Sequence, residues 1–423
     1  MNDNGPRATE STASAPEQPA AAPPNPNAIL VWMCFLVGIN QLGFGSVVPS
    51  LPLYAQSFGV TASAIGMAVG IYGLARFFIA LPAGRLADGL GRRPALAIGG
   101  LISGVGNLWC AWAASYPEFL VARFVAGAGA GLIVTVGHVV LADISTPERR
   151  GRMLSIYMGC FVFAVGIGPF PGGLLAEAYG LDAPFIAFGI ANLLAMLVAW
   201  FAVAETRHFG ESATTAKRGP MPSFTAQIRI LSGHVGFLLA SLISFMNAAV
   251  RTGGLFSIVP IFAAAHLGLS VSEIGFALMI GSVSGLLASY PAGAITDHYG
   301  RKTVIVPTTI ISGASMALFA FSDTYPIFLA AAILWGISST VSGSAPTAYA
   351  ADSAPPGMNA AAIGTYRAAG DAGYVVGPFA LGAIVDFYGA LPALIVASVA
   401  MMVAALAFAL FAPETFTRTK SAK

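Results

Sequence analysis

Charge is what this sequence has least of. Asp, Glu, Lys and Arg make up 9% of its 423 residues, against 57% hydrophobic. A soluble globular domain carries about 25% charged residues, so that class is excluded and a membrane protein is the default reading. Cysteine is limited to three residues. Cys34, Cys110 and Cys160 all fall inside apolar segments, which provides neither a disulfide framework nor a metal-ligand spacing. The chain also lacks HExxH, GxSxG and P-loop strings, and "GAGAGL" at 127–132 has neither the final glycine nor the strand context of a dinucleotide fingerprint. An enzyme is therefore the weaker alternative, and no cofactor, metal or ATP is expected.

Residues 1–27 contain no apolar run and are rich in Pro, Ala, Asn and Ser, so the expectation is a disordered tail and not a signal peptide. Beyond them, apolar stretches of about 20 residues, the length that crosses a bilayer, recur twelve times. They fall near 29–54, 62–83, 95–115, 118–142, 153–176, 183–204, 235–262, 272–292, 303–322, 325–350, 359–384 and 391–412. The predicted fold class is all-α integral membrane, with twelve transmembrane helices. Sixteen of the twenty Lys and Arg lie in the tails or the even-numbered loops and none in an odd-numbered loop. The positive-inside rule then predicts both termini in the cytoplasm of a multi-pass inner or plasma membrane protein.

The stretch "PAGRLADGLGRRP" at 82–94 returns as "PAGAITDHYGRKT" at 291–303, an offset of 209 residues. The same register pairs Ile65-Gly66 with Ile274-Gly275, Gly127 with Gly336, Ala142-Asp143 with Ala351-Asp352, Gly168-Pro169 with Gly377-Pro378, and Glu205-Thr206 with Glu414-Thr415. The chain reads as two pseudo-symmetric six-helix bundles. Their expected bounds are 28–206 and 234–415, with a cytoplasmic linker at 207–233 and tails at 1–27 and 416–423. Parallel repeats related by an axis along the membrane normal imply a substrate path between the halves.

These residues carry a family resemblance. "GRLADGLGRR" resembles the loop 2-3 signature of the major facilitator superfamily, with Gly84, Asp88, Gly91, Arg92 and Arg93 at its positions, and Gly293, Asp297, Gly300, Arg301 and Lys302 fill them again. The resemblance spans residues 29–415 and points to the twelve-helix drug/metabolite:proton antiporter branch. It implies that Asp88 pairs with nearby arginines or with a helix N-terminus of the other half, closing the inner face. Gly84 suits close backbone approach and Gly91 a tight turn. "DISTPERRGR" supplies Asp143, Glu148, Arg149, Arg150 and Arg152 as a second latch resembling the family's loop 4-5 signature, with a solvated basic loop as the alternative. In "GIGPFPGG" at 166–173, Gly168, Pro169, Gly172 and Gly173 resemble a motif of proton-exchanging exporters, although its upstream glycine positions hold Ser155 and Ala164.

Charged residues within the apolar spans are functional candidates because hydrocarbon penalises them. They are Arg76, Arg123, Arg251, Arg367 and Asp371. Arg123, in "RFVAGAGAG", is similar to the family's helix 4 arginine implicated in proton transfer, and its repeat equivalent is Ala332. An arginine cannot release the proton itself, so it would lower a carboxylate pKa or hold a polar network; the alternative is that it anchors helix packing through backbone carbonyls. Asp371 is the candidate proton carrier, with Arg367 at i−4 on the same face; the alternative is a permanent Asp371–Arg367 ion pair. Asn40, Gln41, Asn247 and Arg251 sit near mid-depth of spans 1 and 7, which line the cavity in this superfamily. They are the substrate-binding candidates, with polar helix packing as the alternative. His138 reads as a packed residue.

Four intramembrane arginines against one aspartate favour neutral or anionic substrates. The resemblance implies proton-coupled efflux of a small organic molecule or drug, and the alternative is a proton-coupled uptake symporter of a sugar or organic acid. The expected partners are that substrate, protons and membrane lipid, with no nucleic acid, and the chain is expected to act as a monomer.

Overall fold

The computed structural model describes residues 25–207, 229–354 and 359–414. The expected N-terminal tail up to residue 24, the linker from 208 to 228 and the C-terminal tail lie outside them, as do the side chains of Arg150 and Asp297. Among the described residues there are helices and no strands, and twelve helices are long and apolar enough to cross a membrane. Numbered by span, α1 is Pro26–Val47, α2 Ala62–Leu90, α3 Arg92–Ala111, α4 Tyr116–Ile144 and α6 Ala183–Ala202. α5 runs over Pro147–Ile167 and resumes after Gly168 as Pro169–Tyr179. In the second half, α8 is Val271–Tyr299, α9 Arg301–Ala320, α10 Tyr325–Asp352, α11 Asn359–Tyr388 and α12 Ala390–Phe411. α7 comprises Val235–Ala249, a π-helical stretch Val250–Ile258, and Val259–His266.

Local chemistry sets the ends of these helices. Thr61 and Ser115 accept hydrogen bonds from the backbone N–H groups of Ala64 and Glu118 at the starts of α2 and α4, and Ser270 with Glu273 forms a capping box at the start of α8. Proline stands in the first turn of α4, α5 and α6, where its missing N–H is not needed. Span 1 is shorter than expected, because Pro49 and Pro52 bracket a break before the short helix Leu51–Gln56. Span 7 departs from a plain α-helix. Pro260 cannot donate to the fourth carbonyl before it and Gly253-Gly254 relaxes the chain, which fits the wider π-turn; Ser257 donates its hydroxyl to the Thr252 carbonyl at 2.8 Å.

Many large apolar side chains point outward, Phe201, Leu287 and Leu410 among them, as lipid-facing residues do. Inside, small residues bring backbones together. The two halves meet through one contact made twice: a Cβ at Gly66 would strike the carbonyl of Pro378, and a Cβ at Gly275 that of Pro169. These are equivalent positions of the repeat, so α2 against α11 and α5 against α8 are symmetric copies of a single interface.

Both bundles begin and end at one face, here called the terminal face. All hydrogen bonds between the halves among the described residues lie at the other, opposite face. There Asp386 of α11 accepts from the backbone N–H groups of Ala62 and Ser63 at the start of α2, at 2.6 and 3.0 Å. At the equivalent place, the Ser272 hydroxyl of α8 donates to Glu177 of α5.

Candidate functional site

The cavity between the halves starts from the π-turn of α7. The wider turn carries Arg251 onto the wall of a cavity of about 160 Å³, where it is joined by Gln41 of α1, Arg76 of α2, Tyr374 of α11 and Trp335 of α10. Arg251 lies 5.8 Å from the centroid of the Phe256 ring. A second cavity of about 280 Å³ shares Arg251 and Ser339 with the first, and adds Asn247, Arg367 and Asp371. Asn247 donates to the Ser342 hydroxyl at 2.9 Å while its own amide oxygen is buried without a partner. Gln41, Asn247, Arg251, Arg367 and Asp371 are thus gathered along one path. Among the described residues Asp371 and Arg367 form no ion pair with each other, so the permanent pair is not the arrangement seen. Besides Arg367, Arg76 of the other half reaches Asp371 electrostatically.

Two candidates line neither of these cavities, although Arg123 borders a small void that adjoins the first at Phe44, Val48 and Phe256. Asn40 is fully buried at the α1–α6 contact, donating to Asn192 at 3.2 Å, so its place is between helices and not on a cavity wall. Arg123 is 1% exposed. Its Nε donates to the Ala68 carbonyl at 3.2 Å and its guanidinium stacks 4.4 Å from the Tyr72 centroid, while one terminal nitrogen is buried without a partner. Among the described residues no carboxylate bonds it, and its hold on the Ala68 carbonyl matches the helix-anchoring alternative. His138 packs edge-on against Tyr157, as expected.

At the terminal face, Gly91 has φ +103° and makes the turn from α2 into α3, and Gly300 does the same at φ +96° before α9. A side chain there is strained, and a Cβ at Gly91 would lie 2.5 Å from Glu205 Oε2. Arg92 Nε bonds Asp143 at 2.8 Å and its Nη1 bonds Asp88 at 2.9 Å. Glu205 caps α3 by accepting from the backbone N–H groups of Arg92 and Arg93 at 2.9 and 3.1 Å, and also from those of Thr206 and Arg207. Burial acts to raise the Glu205 pKa, but these N–H groups outweigh it and hold the carboxyl below its usual value. Arg93 stacks on Trp200 at 5.2 Å. The second half repeats the wiring: Arg301 bonds Asp352, and Glu414 accepts from the N–H groups of Arg301 and Lys302.

Of the two pairings expected for Asp88, the one with a nearby arginine is seen: it bonds Arg92 of its own bundle, with its side chain 70% exposed. The expectation for Gly84 changes. Gly84 makes no close approach, since nothing lies within 4 Å of where its Cβ would stand. The reason is that the inter-half contacts of α2 are at its other end. At the α5 break, by contrast, Gly168 is pressed against Leu42 and Gly45 of α1, and Pro169 meets Gly275.

Sequence reasoning did not assign roles to Tyr374, Trp335, Glu205, Glu414, Glu177 or Asp386. The acids could have been suspected from the register, which pairs Glu177 with Asp386 and Glu205 with Glu414.

Comparison with known proteins agrees with this architecture. The family model of the Major Facilitator Superfamily matches residues 33–261 and 237–423. An uncharacterized MFS-type transporter of Methanocaldococcus jannaschii is 25% identical over 365 residues, covering 86% of this chain and 92% of that protein. The quinolone resistance protein NorA of Staphylococcus aureus is 24% identical, covering 70% of this chain and 74% of its own length. Among solved structures, a D-xylose-proton symporter superposes with a TM-score of 0.70 at 19% identity, over 91% of this chain and 98% of that one; this likeness is one of fold alone.

Proposed function

The chain belongs to the major facilitator superfamily, a family of transporters and not of enzymes, and on that premise we propose proton-coupled efflux of a small organic molecule by alternating access. The carrying observation is the arrangement of the cavity. It lies between two related bundles that are bonded to each other at the opposite face, while among the described residues the ion pairs of the terminal face lie inside their own bundles. A central site closed on one side is what one end of a rocking cycle requires. The terminal face is cytoplasmic in this reading, on the strength of the basic loops, and the halves move as units 28–206 and 234–415.

In this cycle Asp371 takes and releases the proton. Swinging between a dry setting and the fields of Arg367 and Arg76 would alternately disfavour and favour its charged form. Gln41, Asn247 and Arg251 contact the substrate, and Arg123 and Asn40 hold the helices that frame it. When the inner face closes, Asp88 and Arg92 re-pair across the halves with the help of Gly84, Arg93, Arg150, Asp297 and Arg301, while Gly168 and Pro169 supply the pivot in α5. Efflux is supported by the Gly168-Pro169-Gly172-Gly173 pattern and by the relative named for quinolone resistance.

The test is proton movement in proteoliposomes with an imposed pH gradient and a small substrate panel, comparing the native chain with Asp371→Asn. Export by exchange requires substrates to dissipate the gradient in the antiport sense, with loss of that effect in the variant. Undiminished flux in the variant would remove Asp371 from the coupling step, and proton flow of the opposite sign would replace efflux with uptake.

A further inference from the structure

The wall of the central cavity holds two guanidinium groups, Arg76 and Arg251, and no carboxylate. Among the described residues neither group has a hydrogen bond or an ion pair. The one carboxylate on the path, Asp371, lines the neighbouring cavity with Arg367 and Arg251 and is also felt by Arg76, but it forms an ion pair with none of them among the described residues. Three arginines against one carboxylate leave an excess of positive charge that is unfavourable unless something compensates it. The chain nevertheless bends α7 through a π-turn at this point, and π-turns collect at functional sites. The rest of the wall includes the rings of Phe256 and Trp335.

Building on the transport reading above, we propose that the substrate is a small amphipathic organic anion. Its carboxylate, or a comparable oxyanion, is received by Arg76 of one bundle and Arg251 of the other, and its planar apolar body lies against Phe256 and Trp335. A guanidinium presents paired N–H donors that match the two oxygens of a carboxylate. One arginine from each half means that the anion ties the two bundles together at the point about which they rock. A cation meets the same field as repulsion, and a neutral molecule leaves both guanidiniums unmatched. The two adjoining cavities, about 160 and 280 Å³, reach only the lower part of the roughly 300–1,000 Å³ range of drug-sized pockets, so a small ring-bearing molecule suits them better than a bulky drug. Export of an anion would also be driven by an inside-negative membrane potential.

Benzoate, benzamide and benzamidine share a ring and a similar size while carrying negative, zero and positive charge. Their binding to the purified full chain in detergent is measured by calorimetry, with quenching of Trp335 as a second readout. Benzoate is expected to bind at least about tenfold more tightly than benzamide, and benzamidine most weakly. Arg76→Gln and Arg251→Gln should each weaken benzoate by about tenfold and leave benzamide largely unchanged. The order among the three probes on the native chain tests the idea even if a variant fails to fold. Benzamidine binding as tightly as benzoate, or an absence of saturable benzoate binding, would overturn it. Benzoate binding without any substrate-driven proton movement would instead defeat the exchange reading and leave the anion site standing.

Discussion

In the N-terminal bundle Arg92 is 7% exposed and bonds Asp143 at 2.8 Å with a further bond to Asp88. In the C-terminal bundle the equivalent Arg301 bonds Asp352 at 3.2 Å, and the Asp352 side chain is 39% exposed. Glu205 and Glu414 cap the following helices in the same way, each accepting from two successive backbone N–H groups. The duplicated sequence has kept the wiring of the turn, and packing has made the Arg92–Asp143 pair drier than the Arg301–Asp352 pair. A desolvated ion pair whose partner is removed leaves a buried charge behind, whereas an exposed pair is screened by water. The same residues in the same register therefore carry different weights.

The largest expected effect tests that difference directly. Arg92→Ala should destabilise the protein by about 3–5 kcal/mol because it strands the buried Asp143, whereas Arg301→Ala should cost less because the Asp352 it leaves is more open to water; thermal unfolding in detergent measures both. Equal losses would show that burial is not what separates the two turns. Next come the glycines. Gly91→Ala should cost at least about 1–2 kcal/mol for its left-handed φ, and more than Gly300→Ala. The added Cβ would stand 2.5 Å from Glu205 Oε2 in the first case and 3.1 Å from Glu414 in the second.

The comparison extends to the opposite face, where Asp386 holds two backbone N–H groups at a helix start and Glu177 holds a serine hydroxyl. Asp386→Asn should favour opening of that face by a few tenths of a kcal/mol, up to about 1, and more than Glu177→Gln does. Thiol labelling of a cysteine introduced below the contact would report the change, and identical labelling of the two variants would dissolve the distinction. The smallest effect concerns pH. Because the folded pKa of Glu205 is depressed, its contribution is full above the unfolded value of about 4.3 and disappears as pH falls through the folded value. The melting temperature of the native chain should thus exceed that of Glu205→Gln at pH 6, and the gap should close on acidification below pH 4.

Much of this architecture was legible beforehand. Twelve apolar spans and a constant register of 209 residues are one-dimensional signals, and bilayer thickness and tandem duplication impose them whatever the packing. The path formed by Gln41, Asn247, Arg251, Arg367 and Asp371 was legible in part, since a polar group in hydrocarbon needs a reason. Asn40 and Arg123 show the limit. They are the same kinds of residue at similar depth, but they turn toward Asn192 and Ala68 in neighbouring helices. Rotation about a helix axis decides between a wall and a contact, and an apolar span uniform around its circumference carries little periodicity to reveal it. Glu205 was obscure for another reason, because the N–H groups it caps lie 113 residues earlier in the chain.

By itself, then, the sequence determined that this chain crosses the membrane twelve times, in two related bundles, with a charged turn after the second helix of each. Hydropathy and repetition are properties of residues in order and survive without coordinates. Only the tertiary structure decided that the Arg92–Asp143 pair is drier than its copy, that the halves are joined at the opposite face, and that Arg76 and Arg251 share a cavity. Those facts depend on which helix faces which across the gap, and desolvation and pairing energies act through space between segments that the chain keeps far apart.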